Sequence, residues 1–353
     1  MLIVHVAEAF GGGIVDFVLS LTSQLKDHKH IIIYAQREIP IDVLKKRFDS
    51  GNVQFIEWKY AQREIKLLSD IKATYYLYSL LKNIKYDVIH LHSSKSGFLG
   101  RVAARFLNKR KVIYTPNGAP FVRTDISLFK KFFFVFLEKI ADMLAGTVIC
   151  CSRSEAEAYY QNNIKCSYIN NGVAINPYPK NYTVNSTFKI VTAGRITYQK
   201  NPCLFNAIAD HFSHQPDVEF IWIGEGELDY LLTAKNIRIT GWLSKQQVEE
   251  EILKANVYLS TALWEGLPFA VLQAMNLGKP LLLSKCIGNI DLVKHGYNGH
   301  IYQSIDEASS FINYYIANRD FLQEASLNSY NYLLDNYNIQ DMAKAYLNKY
   351  ESV

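Results

Sequence analysis

Cysteine is scarce in this chain, and its few copies form no recognisable pattern. Cys150, Cys151, Cys166, Cys203 and Cys286 include no Cys-x-x-Cys and no histidine at zinc-ligand spacing. That excludes a disulfide-stapled scaffold and a structural zinc site, and it points to a reduced, cytosolic chain. Asp-x-Asp occurs nowhere. A site in which paired carboxylates hold a metal against a diphosphate is therefore not expected, and metal ligands are not assigned. Gly-x-Gly-x-x-Gly is missing too, both at Gly11-Gly12-Gly13 and at Gly224-Glu225-Gly226. No run approaches the roughly 18 apolar residues of a membrane span. The first residues, Leu-Ile-Val-His-Val-Ala-Glu, read as a strand with no basic leader, so no signal peptide is expected.

What is present is a globular composition: 353 residues, 49% hydrophobic and 20% charged, enough for two domains. Charge is unevenly divided. Residues 1–170 hold 24 Lys and Arg against 15 Asp and Glu, a balance of +9, and residues 171–353 hold 14 against 18, a balance of −4. Either this is surface fluctuation, or the first half meets an anionic membrane or a phosphorylated acceptor.

Strand patterns fall at Leu2–Glu8, His30–Ala35, Val53–Trp58, Asp87–His92, Lys111–Thr115 and Thr147–Cys151, with helical patterns between most of them. Alternation of this kind predicts a parallel, doubly wound sheet. The segment 171–186, rich in Asn, Pro and Ser, reads as a linker between domains 1–170 and 187–335. The plan then repeats, with strands at Phe188–Ala193, Val218–Ile223, Ile237–Thr240, Asn256–Thr261 and Pro280–Ser284. Residues 336–353 end the chain in a helix whose Ile339, Met342, Tyr346 and Tyr350 share one face, suited to packing on the first domain.

Several strand ends carry chemistry. After Phe188–Ala193 comes Gly194-Arg195, with Lys200 five residues on. These two cations suit a diphosphate, or else a solvated loop. Ser260–Pro280 reads as a strand end, a sharp loop containing Glu265-Gly266-Leu267, and a buried helix with Pro268 in its first turn and Gly278 closing it. Glu265 thus sits at a strand's carboxyl edge beside a helix N-terminus, where open α/β sheets bind ligands and helix amides attract anions. Gly224-Glu225-Gly226 and Gly11-Gly12-Gly13 are either tight turns or places where backbone approaches a ligand. His90 and His92 end one strand, with one read as core and the other as facing the cleft. The aromatic segment Phe121–Met143, with Lys130 and Lys131, is either a core helix or a membrane-surface element.

Taken together, Gly-Arg-x4-Lys-Asn, Glu-Gly-Leu-Pro-Phe-Ala-Val-Leu-Gln-Ala-Met, Asn-Gly-His-Ile-Tyr, His-Val-Ala-Glu-Ala-Phe-Gly-Gly-Gly and Thr-Pro-Asn-Gly resemble glycosyltransferase family 4 over nearly the whole chain. The resemblance implies the GT-B fold, two Rossmann-like α/β domains facing across a cleft. It also implies metal-independent, retaining transfer from a nucleotide diphosphate sugar, a UDP-sugar, which serves as co-substrate with no further cofactor. By the same resemblance Arg195 and Lys200 hold the donor diphosphate. Glu265 binds sugar hydroxyls, with Gly194, Gly224, Glu225, Gly266, Leu267 and Gln273 around the donor. Gln273 stands where the family often has glutamate, and Asn117 where it often has histidine. Asn117 and His92 join the catalytic candidates, and Gly11, Gly12 and Gly13 form the acceptor or phosphate loop. The implied setting is bacterial surface-polysaccharide synthesis on a polyprenyl-diphosphate-linked saccharide at the inner face of the cell membrane, with no nucleic-acid partner. A nucleotide-sugar epimerase and a non-catalytic partner subunit are the rival readings.

Overall fold

The computed structural model describes residues 1–37, 39–108, 111–179 and 187–352. Its strands are β1 Leu2–Ala7, β2 Lys29–Tyr34, β3 Val53–Glu57, β4 Val88–His92, β5 Val112–Thr115, β6 Thr147–Cys150, β7 Ser167–Tyr168, β8 Phe188–Ala193, β9 Val218–Ile223, β10 Ile237–Ile239, β11 Val257–Ser260, β12 Leu281–Ser284 and β13 Gly299–Tyr302. They form one seven-stranded sheet ordered β3-β2-β1-β4-β5-β6-β7 and one six-stranded sheet ordered β10-β9-β8-β11-β12-β13. Neighbouring strands in both sheets run parallel. Runs such as Ile31-Ile32-Ile33 and Leu281-Leu282-Leu283 are buried throughout. That is the pattern of a parallel sheet covered by helices on both faces.

The chain divides into two units, residues 1–172 with 339–353, and residues 173–338. By composition 171–186 reads as a linker. Here residues 173–179 group with the second unit instead, because Tyr330 Oη donates to Asn176 O (2.6 Å) and Tyr178 Oη lies 3.0 Å from Ser326 Oγ. Residues 180–186 of that segment lie outside the described residues. The last helix, Ile339–Ser352, belongs to the first unit and packs on the helix Gly13–Gln24, with Ile339, Met342, Tyr346 and Tyr350 buried.

Each sheet has a topological switch point, where successive crossovers leave in opposite directions. It falls between β1 and β4 in the first unit and between β8 and β11 in the second. Loops at the carboxyl ends of such strand pairs leave a crevice that ligands occupy. Among the described residues, no helix is long and apolar enough to cross a membrane.

Candidate active site

The second unit brings two of its predicted side chains into direct contact at its switch point. Gly194 follows β8 with φ +138°, and a Cβ there would lie 3.3 Å from Lys200 Cε. The missing side chain leaves the space that the lysine stem occupies. Gly224, at the end of β9, packs even closer. A Cβ on it would sit 2.4 Å from Gly194 O, so the two strand-end turns nest backbone against backbone. Asn201 then caps the helix Pro202–His211, its side chain accepting from Leu204 N–H (3.2 Å), with Pro202 at the first helical position. This start fixes Lys200 immediately ahead of the helix.

The loop after β11 is stitched to the loop after β8. Thr261 Oγ1 donates to Lys200 O (2.6 Å), Leu263 N–H to Gln199 O (2.8 Å), and Gln199 Nε2 to Trp264 O (2.8 Å) and Glu265 Oε2 (3.3 Å). From behind, Glu265 N–H donates to Ile287 O (3.1 Å) in the loop after β12. The result is an ion pair between Lys200 Nζ and Glu265 Oε1 at 2.6 Å. Glu265 is buried, at 8% exposure, while the Lys200 side chain keeps 25% of its surface open to solvent.

Burial alone would lower the Lys200 pKa, but the charge and hydrogen bond of Glu265 outweigh it and hold the ammonium above its ordinary value. Burial, then the Glu265 charge, push the nearby Cys286 thiol up to about 12, so it stays neutral. Held in place by Glu265 and still partly open to solvent, the ammonium can meet a further anion.

Arg195 is half-buried on the same loop, Glu225 is exposed, and Gly266 and Leu267 are buried behind Glu265. Gln273 lies half-buried in the helix Phe269–Asn276. Pro268 is the cap of that helix rather than part of its first turn, because its ψ of 117° is extended. Gln199 and Thr261, which align the pair, were not singled out in the sequence. Their only signal was position, one residue before Lys200 and four before Glu265.

In the first unit the helix Gly13–Gln24 starts at Gly12, whose φ is +51°. Cβ atoms at Gly11 and Gly12 would meet nothing within 4 Å, so this loop faces open space. Glu8, at the end of β1, is buried and ion-paired with Arg37, and its N–H donates to Ser96 Oγ at 2.6 Å. Asn117 follows β5 with φ +54°, and its Nδ2 donates to Thr115 O (3.2 Å). The turn is gripped from below by the buried Glu155, whose carboxylate accepts from Gly118 N–H (2.7 Å) and Cys151 N–H (2.9 Å). Burial raises the Glu155 pKa despite these bonds.

The histidine expectation is corrected. Residues two apart on a strand share a face, so His90 and His92 point the same way, with ring centroids 4.1 Å apart, and both are fully buried. They join His5 and His30 in a hydrogen-bonded core. Because Leu25 O only accepts, His30 Nε2–H must donate to it (3.2 Å). With neutral rings, His5 Nε2–H then donates to His30 Nδ1 (3.1 Å) and His92 Nε2–H to His5 Nδ1 (3.1 Å). His90 is spoken for on both sides, by Tyr350 Oη and Thr115 Oγ1, each at 2.8 Å. Nitrogens of His5, His90 and His92 lie within 4.8 Å of one another, a spacing open to a metal ion. Hydrogen bonds already occupy both nitrogens of His5 and His90. His92 is thus fully buried with its ring against Phe17, rather than facing open space.

Comparison with known proteins identifies the family and the fold. The profile described as Glycosyltransferase Family 4 matches residues 11–176, and that described as Glycosyl transferases group 1 matches residues 187–317. An Escherichia coli UDP-Gal:α-D-GlcNAc-diphosphoundecaprenol α-1,3-galactosyltransferase is 31% identical over 306 residues, covering 78% of each chain. The Staphylococcus aureus capsular polysaccharide biosynthesis glycosyltransferase CapM is 26% identical over 74% of each. Among solved structures, Anabaena HepE in complex with UDP and glucose superposes with a TM-score of 0.81 at 16% identity over the full length of both chains. The fold is that of these GT-B enzymes.

Proposed function

The chain belongs to glycosyltransferase family 4, and from that premise we propose that it transfers a hexosyl or N-acetylhexosaminyl group, with retention, from a UDP-sugar to a polyprenyl-diphosphate-linked saccharide in surface-polysaccharide synthesis. The observation that carries the site assignment is the Lys200–Glu265 pair, 2.6 Å apart, joining the loops after β8 and β11. When the bond between the sugar's anomeric carbon and the diphosphate breaks, the electron pair goes to a phosphate oxygen. Lys200 and Arg195 meet that developing charge, and the fixed ammonium needs no reorganisation to do so. Glu265 keeps Lys200 charged and in place, and its oxygens accept hydroxyl hydrogens of the donor sugar. The acceptor hydroxyl bonds to the anomeric carbon from the face the diphosphate leaves, and its proton passes to the departing phosphate oxygen. No cofactor or metal takes part in this reading, since the cations and helix amides neutralise the diphosphate.

Two lines support the partners. One relative is named for a diphosphoundecaprenol acceptor and another for an N,N'-diacetylbacillosaminyl-diphospho-undecaprenol acceptor, and solved neighbours carry UDP or UDP-glucose. The first unit would take the acceptor, with the open Gly11-Gly12-Gly13 loop and Asn117 near it, and would rest on the inner face of the membrane through the helix Leu128–Leu144. In that helix Phe129 is 80% exposed, and only Glu138 and Ala141 are buried.

The test is sugar transfer by purified protein with and without a lipid-diphosphate saccharide. Arg195→Ala or Lys200→Ala is expected to lower turnover roughly a hundredfold, the cost of losing a charge partner in the transition state. EDTA is expected to leave turnover unchanged. Full metal dependence, or near-normal turnover in the double variant, would overturn the site. Donor conversion without any acceptor would favour an epimerase.

A further inference from the structure

The first unit leaves a second apolar surface in water, away from the aromatic helix. Ile65, Leu67, Leu68, Ile71 and Tyr75 are all exposed, Leu67 at 76% and Leu68 at 77%. They occupy the outer side of the helix Leu67–Asn83 and the residues leading into it, while that helix buries only Ala73, Leu77 and Leu81. That buried face holds the helix, and polar contacts hold the residues leading into it. The Lys95 ammonium donates to Gln62 O (2.6 Å) and Glu64 O and pairs with Asp70 Oδ1 at 2.7 Å. A polar clamp therefore presents an apolar edge to solvent. Lys59, Arg63 and Lys72, also exposed, lie beside it in sequence, and Lys66 is paired there with the exposed Glu64 (2.6 Å).

The two apolar surfaces share one layer. Right-handed crossovers from β3 to β4, β4 to β5 and β5 to β6 place their helices on the same face of the sheet. The middle helix, Ser94–Phe106, packs against both Leu67–Asn83 and Leu128–Leu144. Leu128–Leu144 is likewise attached through polar groups. Arg101 Nη2 meets Glu138 Oε2 at 2.6 Å and Tyr114 Oη donates to Glu138 Oε1 (3.0 Å), which leaves its phenylalanines outward.

We propose that the segment Ile65–Tyr75 is a second lipid-contacting surface, whose leucines and isoleucines enter an anionic bilayer while its lysines and arginine meet the headgroups. Apolar insertion plus basic flanks is what a bilayer interface selects. The inference rests on the membrane reading above and adds a contact to it.

The test is vesicle sedimentation with phosphatidylglycerol–phosphatidylethanolamine liposomes, at low salt and at about 0.5 M salt, where charge attraction is screened. Leu67→Ser with Leu68→Ser, at exposed positions that the fold does not use, is expected to weaken partitioning at least tenfold and to abolish what remains at high salt. Transfer to a short soluble acceptor is expected to stay unchanged. If the wild type ignores liposomes, the membrane reading falls and this inference with it. If the wild type binds and the double variant binds equally, the inference alone falls. If ultracentrifugation shows a wild-type dimer that the double substitution makes monomeric, without a change in liposome binding, the surface is a self-association face and the proposal is overturned.

Discussion

Acid should destabilise the first unit through its buried histidines. Burial holds His30 at about 4 and His92 at about 3, and it puts His5 and His90 well below the ordinary value, with neighbouring rings adding repulsion. In the unfolded chain each returns to about 6.5. Above that pH both states are neutral and the rings contribute no pH dependence. As pH falls through about 6.5 the unfolded chain takes up protons that the folded chain refuses, so stability falls until the folded values are reached. The slope is about 1.4 kcal/mol per pH unit for each ring. At pH 5 each ring has cost about 2 kcal/mol and the four together about 8, comparable with the 5–15 kcal/mol that holds a typical domain. Glu155 and Asp142, whose pKa values burial raises, work in the opposite sense but are two groups against four. His300, lowered to about 4, imposes only one such loss on the second unit. Urea unfolding at pH 7.5, 6.5, 5.5 and 5.0, with hydrogen exchange separating β1 and β4 peptides from β8 and β11 peptides, reads each unit separately. The first unit's midpoint should drop steeply below pH 6.5 and the second unit's much less. A first-unit midpoint that stays flat from pH 7.5 to 5.0 would refute the neutral, dry histidine core.

Other outcomes follow from the site and the surface. Glu265→Gln keeps the shape but removes the charge that holds Lys200, so transfer should fall far more than UDP affinity. Isothermal titration alongside turnover checks this, and equal losses would assign Glu265 to the nucleotide instead. Replacing Lys130 and Lys131 by glutamate should release the protein from anionic liposomes and slow transfer to a long-chain lipid acceptor, while transfer to a short soluble acceptor holds. Equal damage to both acceptors would place those lysines in the fold rather than at the membrane.

The strands were legible because runs such as Ile31-Ile32-Ile33 have no other stable place in a parallel sheet. Gly299–Tyr302 and Ser167–Tyr168 were not, being short and carrying glycine, histidine or serine. The helix Lys245–Lys254 was missed although Ser244 and Gln247 form a capping box visible in the sequence. Lys200 and Glu265 could each be put at a strand end, but their contact across 65 residues depends on strand order, which no local pattern encodes. The histidine core shows the same limit, since His5, His30, His90 and His92 meet only once β1, β2 and β4 are paired.

The aromatic helix shows a deeper one. Its charges and most of its phenylalanines lie on opposite sides, so periodicity alone would bury the phenylalanine side. What chooses is Glu138. Arg101 is fully enclosed, and its charge needs a partner inside the unit, which fixes the helix by its one buried carboxylate and turns Phe129, Phe132 and Phe136 to solvent. Burial here follows the charge, and the hydrophobic residues are left for whatever the first unit touches.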